Sequence, residues 1–338
     1  MSGAAGGAAE QTATGAIHGE VRPGLHRIQA PLGERFVALY LLVGDDAALL
    51  VDTGIRESIT ETLLPYLDAV GIPREKLRWA VNTHCDYDHT GGNGALKAAI
   101  PTASIVAHAL DSDLVEDVQR LIDERYGEFR ATDGFDDPPE TTEYLRAVSD
   151  LVPVDLRVAG GEEFDLGGRT VRVLHVPGHS PGHVAVYDEA NRALLIGDAT
   201  LGASVLFADG RPAFPPTYRD TDPYVESLRA FRALDADLLL TAHYPVYEGE
   251  GVARFLDESE AYTERIDVIL SELLAARAEP ATTLELVREA GSALGPWGAD
   301  ALDYSVFPVT GNLERLEQRG LVASAVDGDG RRTWRWVR

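Results

Sequence analysis

Short apolar runs separated by turn residues fill the first quarter of the chain. Runs at 25–29, 36–43 and 48–52 have the length and composition of β-strands, and a Gly-Asp-Asp turn joins the last two. Residues 57–70 instead repeat apolar side chains at the spacing of one helix face, and 77–81 read as another buried strand. The pattern predicts strands with helices outside them.

A second β-rich half begins near residue 152. Five apolar runs with turn residues between them predict strands at 154–158, 163–166, 171–176, 184–187 and 193–196. A helix at 222–234 then leads to a strand at 237–240. Taken alone, this alternation of strands and helices gives no more than a mixed α/β class.

The segment 111–150, between the two halves, differs from both in its charge. It carries 13 acidic residues against 4 arginines, with short helical patches and a Pro-Pro break. Insertions at this point of a chain often wall a cleft, which predicts a lid that faces a substrate. An acidic surface excursion explains the same composition equally well.

The character of the chain changes again after residue 250. A long amphipathic helix at 255–278 precedes helices at 283–290 and 308–319 and a hairpin-like pair of strands at 321–337. Residues 279–338 hold 9 acidic and 7 basic side chains, whereas a module that reads DNA is normally basic. A structural or dimer-forming role is therefore favoured for this part of the chain.

The net charge and the apolar content of the chain limit the kinds of molecule that it is expected to bind. The 338 residues carry a formal net charge of −25, which repels nucleic acids and acidic membranes. No apolar run approaches the ~18 residues that cross a bilayer, and the start of the chain lacks the pattern of a secretory signal. The single cysteine excludes an intramolecular disulfide. We therefore expect a cytoplasmic protein with a small-molecule substrate and a disordered tail at 1–17.

One stretch, 83–93, concentrates side chains that bind metals. It follows the strand at 77–81 directly and contains four ligand-type residues, His84, Asp86, Asp88 and His89. A short loop between a strand end and a helix start lies at the edge of a sheet, where open sites form. Imidazole and carboxylate together suit zinc, iron or manganese better than calcium. Cys85 lies in the same loop, and a small buried filler is its favoured interpretation.

The stretch resembles the His-x-His-x-Asp-His signature of the metallo-β-lactamase-fold superfamily, followed by Gly-Gly. Asp86 stands where the family normally has its second His. Three further motifs of the family follow in order and carry His179, Asp198 and His243. The resemblance runs from about residue 25 to 247. It implies an αββα sandwich over 18–250 and a small helical, winged-helix-like domain at 251–338.

The resemblance also implies a dinuclear centre for two divalent ions, zinc first, with iron or manganese as alternatives. The ligands of the first ion would be His84, Asp86 and His179. Those of the second would be Asp88, His89 and His243, and Asp198 would bridge the two. Asp52, in an Asp-Thr-Gly motif at the end of the third strand, and His183 would support the ligands from behind.

Such a centre implies hydrolysis of a small ester, thioester or lactone by a hydroxide that bridges the ions, with Asp88, Asp198 and Tyr244 as catalytic residues. A carboxylate at 86 adds negative charge and a hard donor, which favours iron or manganese over zinc. A diiron oxidoreductase, known in this family with an acidic residue there, is therefore the alternative. Tyr87 and Tyr244 either orient substrate or pack in the core. Position alone suggests three further substrate contacts, Arg56, Arg211 and Tyr218.

Overall fold

The computed structural model describes residues 10–11 and 17–337. The predicted tail at 1–17 therefore lies largely outside the described residues; within it, Glu10–Gln11 forms a short strand that pairs with the next one. Within the described ranges, no helix is both long and apolar enough to cross a bilayer.

The first sheet has eight strands that lie side by side in chain order. Their bounds are β1 (Glu10–Gln11), β2 (Ile17–Arg22), β3 (Leu25–Leu32), β4 (Arg35–Val43), β5 (Ala48–Val51), β6 (Leu77–Val81), β7 (Ser104–His108) and β8 (Leu156–Val158). Strands β1 to β5 pair antiparallel, whereas β5 to β8 pair parallel. Because parallel strands end at the same edge, the loops after β5, β6 and β7 meet there.

The second sheet has six strands in the order β16-β15-β12-β11-β10-β9. Their bounds, with those of a separate hairpin of β13 and β14, are β9 (Glu163–Asp165), β10 (Thr170–His175), β11 (Val184–Asp188), β12 (Ala193–Gly197), β13 (Val205–Leu206), β14 (Pro212–Phe214), β15 (Leu238–Thr241) and β16 (Tyr247–Glu248). Only β12 and β15 pair parallel among these described strands, so the loops after both approach one edge.

Strand β4 shows why the sheets stack. Its side chains alternate between two cores: Ala38, Tyr40 and Leu42 face the second sheet, and Val37, Leu39 and Leu41 face the helices outside the first. A strand that is apolar on both faces must be covered on both faces. The outer face of the second sheet is covered in turn by helices and by the C-terminal region, in one continuous core. The αββα arrangement that the sequence resemblance implied is confirmed.

Helices cover the first sheet and build the acidic segment. A π-helical turn (Ser58–Leu63) and the helices α1 (Leu64–Val70), α2 (Tyr87–Thr90) and α3 (Asn93–Ala99) belong to the first half, with a 3₁₀ turn at Arg74–Lys76. The acidic segment contains α4 (Ser112–Glu116), α5 (Val118–Arg120), a second π-helical turn (Leu121–Tyr126) and α6 (Pro139–Val148). This segment packs beside the edge where the parallel strands end.

The C-terminal region follows α7 (Thr221–Ala233) of the second half. It comprises α8 (Glu250–Ala276), β17 (Ala281–Thr282), α9 (Thr283–Ala290), α10 (Ala299–Leu302), α11 (Val306–Gln318), β18 (Val322–Val326) and β19 (Arg332–Trp336), with 3₁₀ turns at Gly291–Ala293 and Asp303–Ser305. A capping box of Thr282 and Glu285 starts α9. The three strands form a small sheet around the fully buried Trp334. The order of elements matches the expected one, and the winged-helix assignment and the domain boundary stay predictions.

Candidate metal centre

The ligand-rich loop lies between β6 and α2, at the edge where the parallel strands of the first sheet end. Gly92 lets this loop approach the one after β5, because a Cβ atom there would lie 2.4 Å from the carbonyl oxygen of Thr53. The Gly92 N–H instead donates to Gly54, and the Thr53 N–H donates to the carbonyl of His89. The Gly-Gly pair of the motif therefore serves close backbone contact.

The structure brings all seven predicted ligands together at this edge. They form three groups, in each of which one donor atom per residue lies within 4.8 Å of the others. The groups are His84, Asp86 and His179; Asp88, His89 and His243; and His84, His89 and Asp198. The first two groups are the sets expected for two ions. Asp198 lies between them, because it groups with one histidine of each.

Several buried atoms of these groups have no hydrogen-bond partner in the described part of the chain. They include Nε2 of His84, Nε2 of His89 and Oδ1 of Asp198. A buried polar atom without a partner is costly, so native structures rarely leave one unexplained. Divalent ions that take imidazole nitrogen and carboxylate oxygen would satisfy these atoms together. The donor set therefore fits the metal ions that the motif implies.

The electrostatics of the centre differ from donor to donor. Burial opposes a charge on His89, but Asp52 and Asp198 raise its pKa to about 10, so this ring must release a proton to bind a metal, whereas His84 and Asp198 are ready to do so. Burial, reinforced by His89, lowers the pKa of His84 to about 3, so this imidazole is neutral and retains a lone pair. Burial alone would raise the pKa of Asp198, but His243 and His89 lower it well below its usual range. Asp198 is therefore an ionised carboxylate, and both side chains are in the protonation state that binds a metal.

Asp52 supports the ligand loop from behind. It is 1% exposed and adopts a left-handed backbone conformation with φ of 62°, which is strained for a residue with a side chain. Its Oδ1 accepts from the Thr83 N–H at 2.7 Å, and its Oδ2 accepts from the Thr83 hydroxyl at 2.9 Å. Oδ2 also lies 2.8 Å from Nδ1 of His89. A proton held on Nδ1 leaves Nε2 of His89 facing the other donors, which is the usual arrangement behind a metal ligand.

Two other histidines are oriented differently. Nδ1 of His243 lies 2.8 Å from the carbonyl oxygen of Phe36, which turns its Nε2 toward Asp88 and Asp198. His183 is outside the three groups, and both its nitrogens lack a hydrogen-bond partner in the described chain. It stacks on His84 with ring centroids 4.7 Å apart. Its contact with the centre is therefore ring stacking on a predicted ligand, and a supporting or structural role for His183 stays a prediction.

A cavity of about 160 Å³ opens directly onto the centre. Asp86, Asp88, Asp198 and His243 lie on its floor. Its walls combine aromatic rings from three parts of the chain with two cations, and the residues concerned are Phe135, Phe214, Tyr304, Phe307, Arg35 and Arg125. The acidic segment and the C-terminal region thus both wall the site. They also contact each other, since Tyr304 donates to Asp137 at 2.5 Å.

Of the two tyrosines predicted either to orient substrate or to pack in the core, one lines the cavity and the other does not. Tyr87 lines the cavity, but Tyr244 is 2% exposed, and its single hydroxyl proton is shared between the carbonyl oxygens of Leu201 and Ser204, away from the cavity. This geometry gives Tyr244 a packing role and does not support the catalytic role predicted for it.

The three positions chosen by sequence position alone, Arg56, Arg211 and Tyr218, do not line the cavity. Tyr218 is fully buried and donates to Asn312 at 2.8 Å. Arg35 and Arg125, which do line it, were missed. Neither belongs to a local motif, so no signal in the sequence singles them out.

Cys85 is fully buried, and burial raises the pKa of its thiol well above the usual value. It packs against apolar residues, among them Ala107, Val115 and Leu121. The interpretation as a small buried filler is confirmed.

Comparisons with solved structures agree with this fold. The chain superposes on a metallo-beta-lactamase family protein from Thermus thermophilus with a TM-score of 0.71 and 24% identity, over 94% of this chain and 100% of that one. A beta-lactamase domain protein from Burkholderia ambifaria gives a TM-score of 0.73 and 20% identity, over 95% and 94% of the two chains. At these identities the likeness shows the fold alone, and it extends through the C-terminal region.

Two of the sequence relatives have the names of hydrolytic enzymes. A hydroxyacylglutathione hydrolase from Methylococcus capsulatus is 31% identical over 54% of this chain and 56% of its own length. An acyl-coenzyme A thioesterase, MBLAC2, from Gallus gallus is 27% identical over 64% of this chain and 75% of its own. The family model of the metallo-beta-lactamase superfamily matches residues 32–243, which is more than half of the chain and contains all seven clustered side chains. The chain belongs to the metallo-beta-lactamase superfamily.

Proposed function

We propose that this protein is a metal-dependent hydrolase that cleaves a small thioester or ester, with a lactone as a related substrate. The observation that carries the proposal is the convergence of seven donor side chains, several with buried atoms that lack a hydrogen-bond partner, at one site where four of them line a cavity. The names of the relatives support thioester hydrolysis in particular. The two groups of donors fit two divalent ions, and zinc is the first candidate.

Divalent ions in these groups would polarise the scissile carbonyl and lower the pKa of a water molecule. The chain's own residues prepare that chemistry. Asp52 fixes the ring of His89, and the Phe36 carbonyl fixes that of His243, so both present Nε2 to the centre. Asp88 and Asp198 place two carboxylates beside these nitrogens. Holding the donors in advance reduces the reorganisation that the reaction requires.

The cavity wall indicates the form of the substrate. Phe135, Phe214, Tyr304 and Phe307 offer apolar surface to a compact acyl group. Arg35 also faces the cavity, and in the described part of the chain no carboxylate forms an ion pair with its guanidinium. Burial opposes its charge, but Tyr87, Asp88 and Asp198 raise its pKa, so Arg35 stays protonated. It is available to bind a negatively charged group of the substrate.

The test is hydrolysis by the purified, zinc-loaded protein of a panel with a thioester of glutathione, an acyl-coenzyme A, a simple ester, a lactone and a β-lactam. We expect thioester or ester turnover that falls more than about a hundredfold in His243→Asn, because a ligand is lost. The matched control is His175→Asn, since His175 is exposed and lies outside the donor groups. Equal turnover in both variants, or hydrolysis of no member of the panel, contradicts the proposal.

A further inference from the structure

Arg125, from the acidic segment, reaches into the first group of metal donors. Its Nε lies 3.0 Å from Oδ1 of Asp86, and its Nη2 lies 3.3 Å from Oδ2, so the guanidinium holds the carboxylate with two hydrogen bonds. The same Nη2 lies 3.3 Å from Nε2 of His179. The Arg125 side chain is 6% exposed and that of Asp86 is 13% exposed. A cation is therefore built into the site at the residue that departs from the family signature.

The carboxylate of Asp86 has contacts on both sides. Oδ2 lies 3.0 Å from Nε2 of His179 and 3.4 Å from Nε2 of His84, the arrangement of three donors around one ion. On its other side the same carboxylate receives both hydrogen bonds of the Arg125 guanidinium, so a buried anion and a buried cation face each other directly and the charge of Asp86 is balanced within the protein.

The fold holds Arg125 in place from two directions. The residue lies in the π-helical turn Leu121–Tyr126, an irregularity that is often found at functional sites. The hydroxyl of its neighbour Tyr126 accepts from the Tyr87 N–H at 3.2 Å, which ties the turn to the ligand loop. On the other side, the guanidinium lies 5.1 Å from the centre of the Phe307 ring, in the C-terminal region. Both units that wall the cavity therefore position this cation.

We propose that Asp86 and Arg125 act as one unit that replaces the neutral imidazole of the usual signature. The inference rests on the metal site of the proposed function, and it assigns Arg125 as a positioning residue. A carboxylate alone would make the first donor group more negative by one charge, whereas the pair is neutral in total, like histidine. The extra negative charge of Asp86 by itself favours iron over zinc. The positive charge of Arg125 cancels it, so this reason to prefer iron no longer applies. The acidic segment is then part of the metal site as well as a wall of the cavity.

The proposal fixes an order of zinc affinities through the charge of the pair. Arg125→Gln leaves a net charge of −1 and should bind zinc at least about tenfold more tightly than wild type, whereas Asp86→His leaves +1 and should bind at least about tenfold more weakly. The double variant is neutral again and should return to within about threefold of wild type. The melting temperatures of the metal-free proteins should not follow the order of the zinc affinities, because each single variant leaves one buried charge without its partner. Both should melt lower than wild type and the double variant when metal-free.

The experiment is zinc titration of the full-length, chelator-treated protein against a competing fluorescent chelator, with metal content and melting temperature measured on the same samples. Arg120→Gln is the matched control, since Arg120 lies on the same segment but is exposed and pairs with Asp113 and Glu124. If Asp86→His does not fold, Asp86→Asn carries the same charge change and is expected to bind zinc more weakly.

Zinc affinities that follow the order above support the unit. An Arg125→Gln variant that binds zinc like Arg120→Gln overturns it, and so does a double variant that binds as weakly as Asp86→His. The readout is metal affinity and not turnover. If the zinc affinities follow the predicted order but the protein hydrolyses no thioester, the proposed function alone is refuted. If the protein hydrolyses thioesters but the zinc affinities do not follow that order, the Asp86–Arg125 unit alone is refuted.

Discussion

Replacing Asp52 by asparagine changes a single atom behind the ligand loop and tests how the centre is held. The carboxylate accepts three hydrogen bonds, two from Thr83 and one from His89. Asparagine keeps one acceptor, which suits the Thr83 N–H, and the Thr83 hydroxyl can rotate to accept. The contact with His89 must reverse, because an amide N–H then points at Nδ1. The imidazole would shift its proton to Nε2, the atom that faces the other donors.

Two magnitudes follow for Asp52→Asn. A hydrogen bond to a charged group contributes about 1.5–3 kcal/mol, so we expect the metal-free protein to lose roughly that free energy of unfolding. Loss of the residue behind a ligand typically weakens metal binding about 10–100-fold, which we expect here for zinc. Urea unfolding of the metal-free protein measures the first, and competition with a chelator measures the second.

Asp188→Asn is the matched control for this prediction. Asp188 is also fully buried and accepts from Arg169 and from Asn191, but it lies outside the donor groups. We expect it to lower stability and to leave zinc affinity unchanged. An Asp52→Asn variant with the zinc affinity of wild type would refute the reasoning, because the proton on His89 would then not depend on Asp52.

Three further outcomes are expected. Arg35→Gln should raise KM about tenfold for substrates with a negatively charged acyl group and leave neutral ones unchanged, as measured by steady-state kinetics on matched pairs. Phe214→Ala should raise KM severalfold for compact apolar acyl groups, because the half-buried ring loses part of the ~1.5–3 kcal/mol of a fully buried one; unchanged KM would remove Phe214 from the binding surface. Cys85 should not react with a thiol reagent in the native protein, because burial raises the pKa of its thiol, and should react once unfolded. Rapid native labelling would contradict this.

The sequence predicts what is encoded locally. His84, Asp86, Asp88 and His89 follow one another on a loop whose position is set by the buried strand before it, so their grouping is visible without a structure. The helices α9 and α11 begin and end within two residues of their expected bounds, because apolar spacing marks both and a capping box marks the start of α9.

The parts that the sequence does not predict depend on packing between distant segments. Arg125 is one arginine in an acidic segment, and only the fold of that segment brings it 39 positions back to Asp86. Tyr244 adjoins a ligand in the chain, yet successive side chains after a strand point in different directions, and its ring turns to Phe255 in α8. Proximity in sequence is therefore a guide to donors on one loop and a poor guide to the cavity wall.

The most direct test of the central claim is metal analysis joined to turnover on the same sample. Protein purified without added metal is assayed for bound metals and for hydrolysis of the best substrate, then treated with a chelator, then reloaded with zinc. We expect bound divalent metal near two ions per chain, loss of turnover with the metal, and recovery on reloading. Undiminished hydrolysis by metal-free protein, or a chain that binds no divalent metal, would contradict the account.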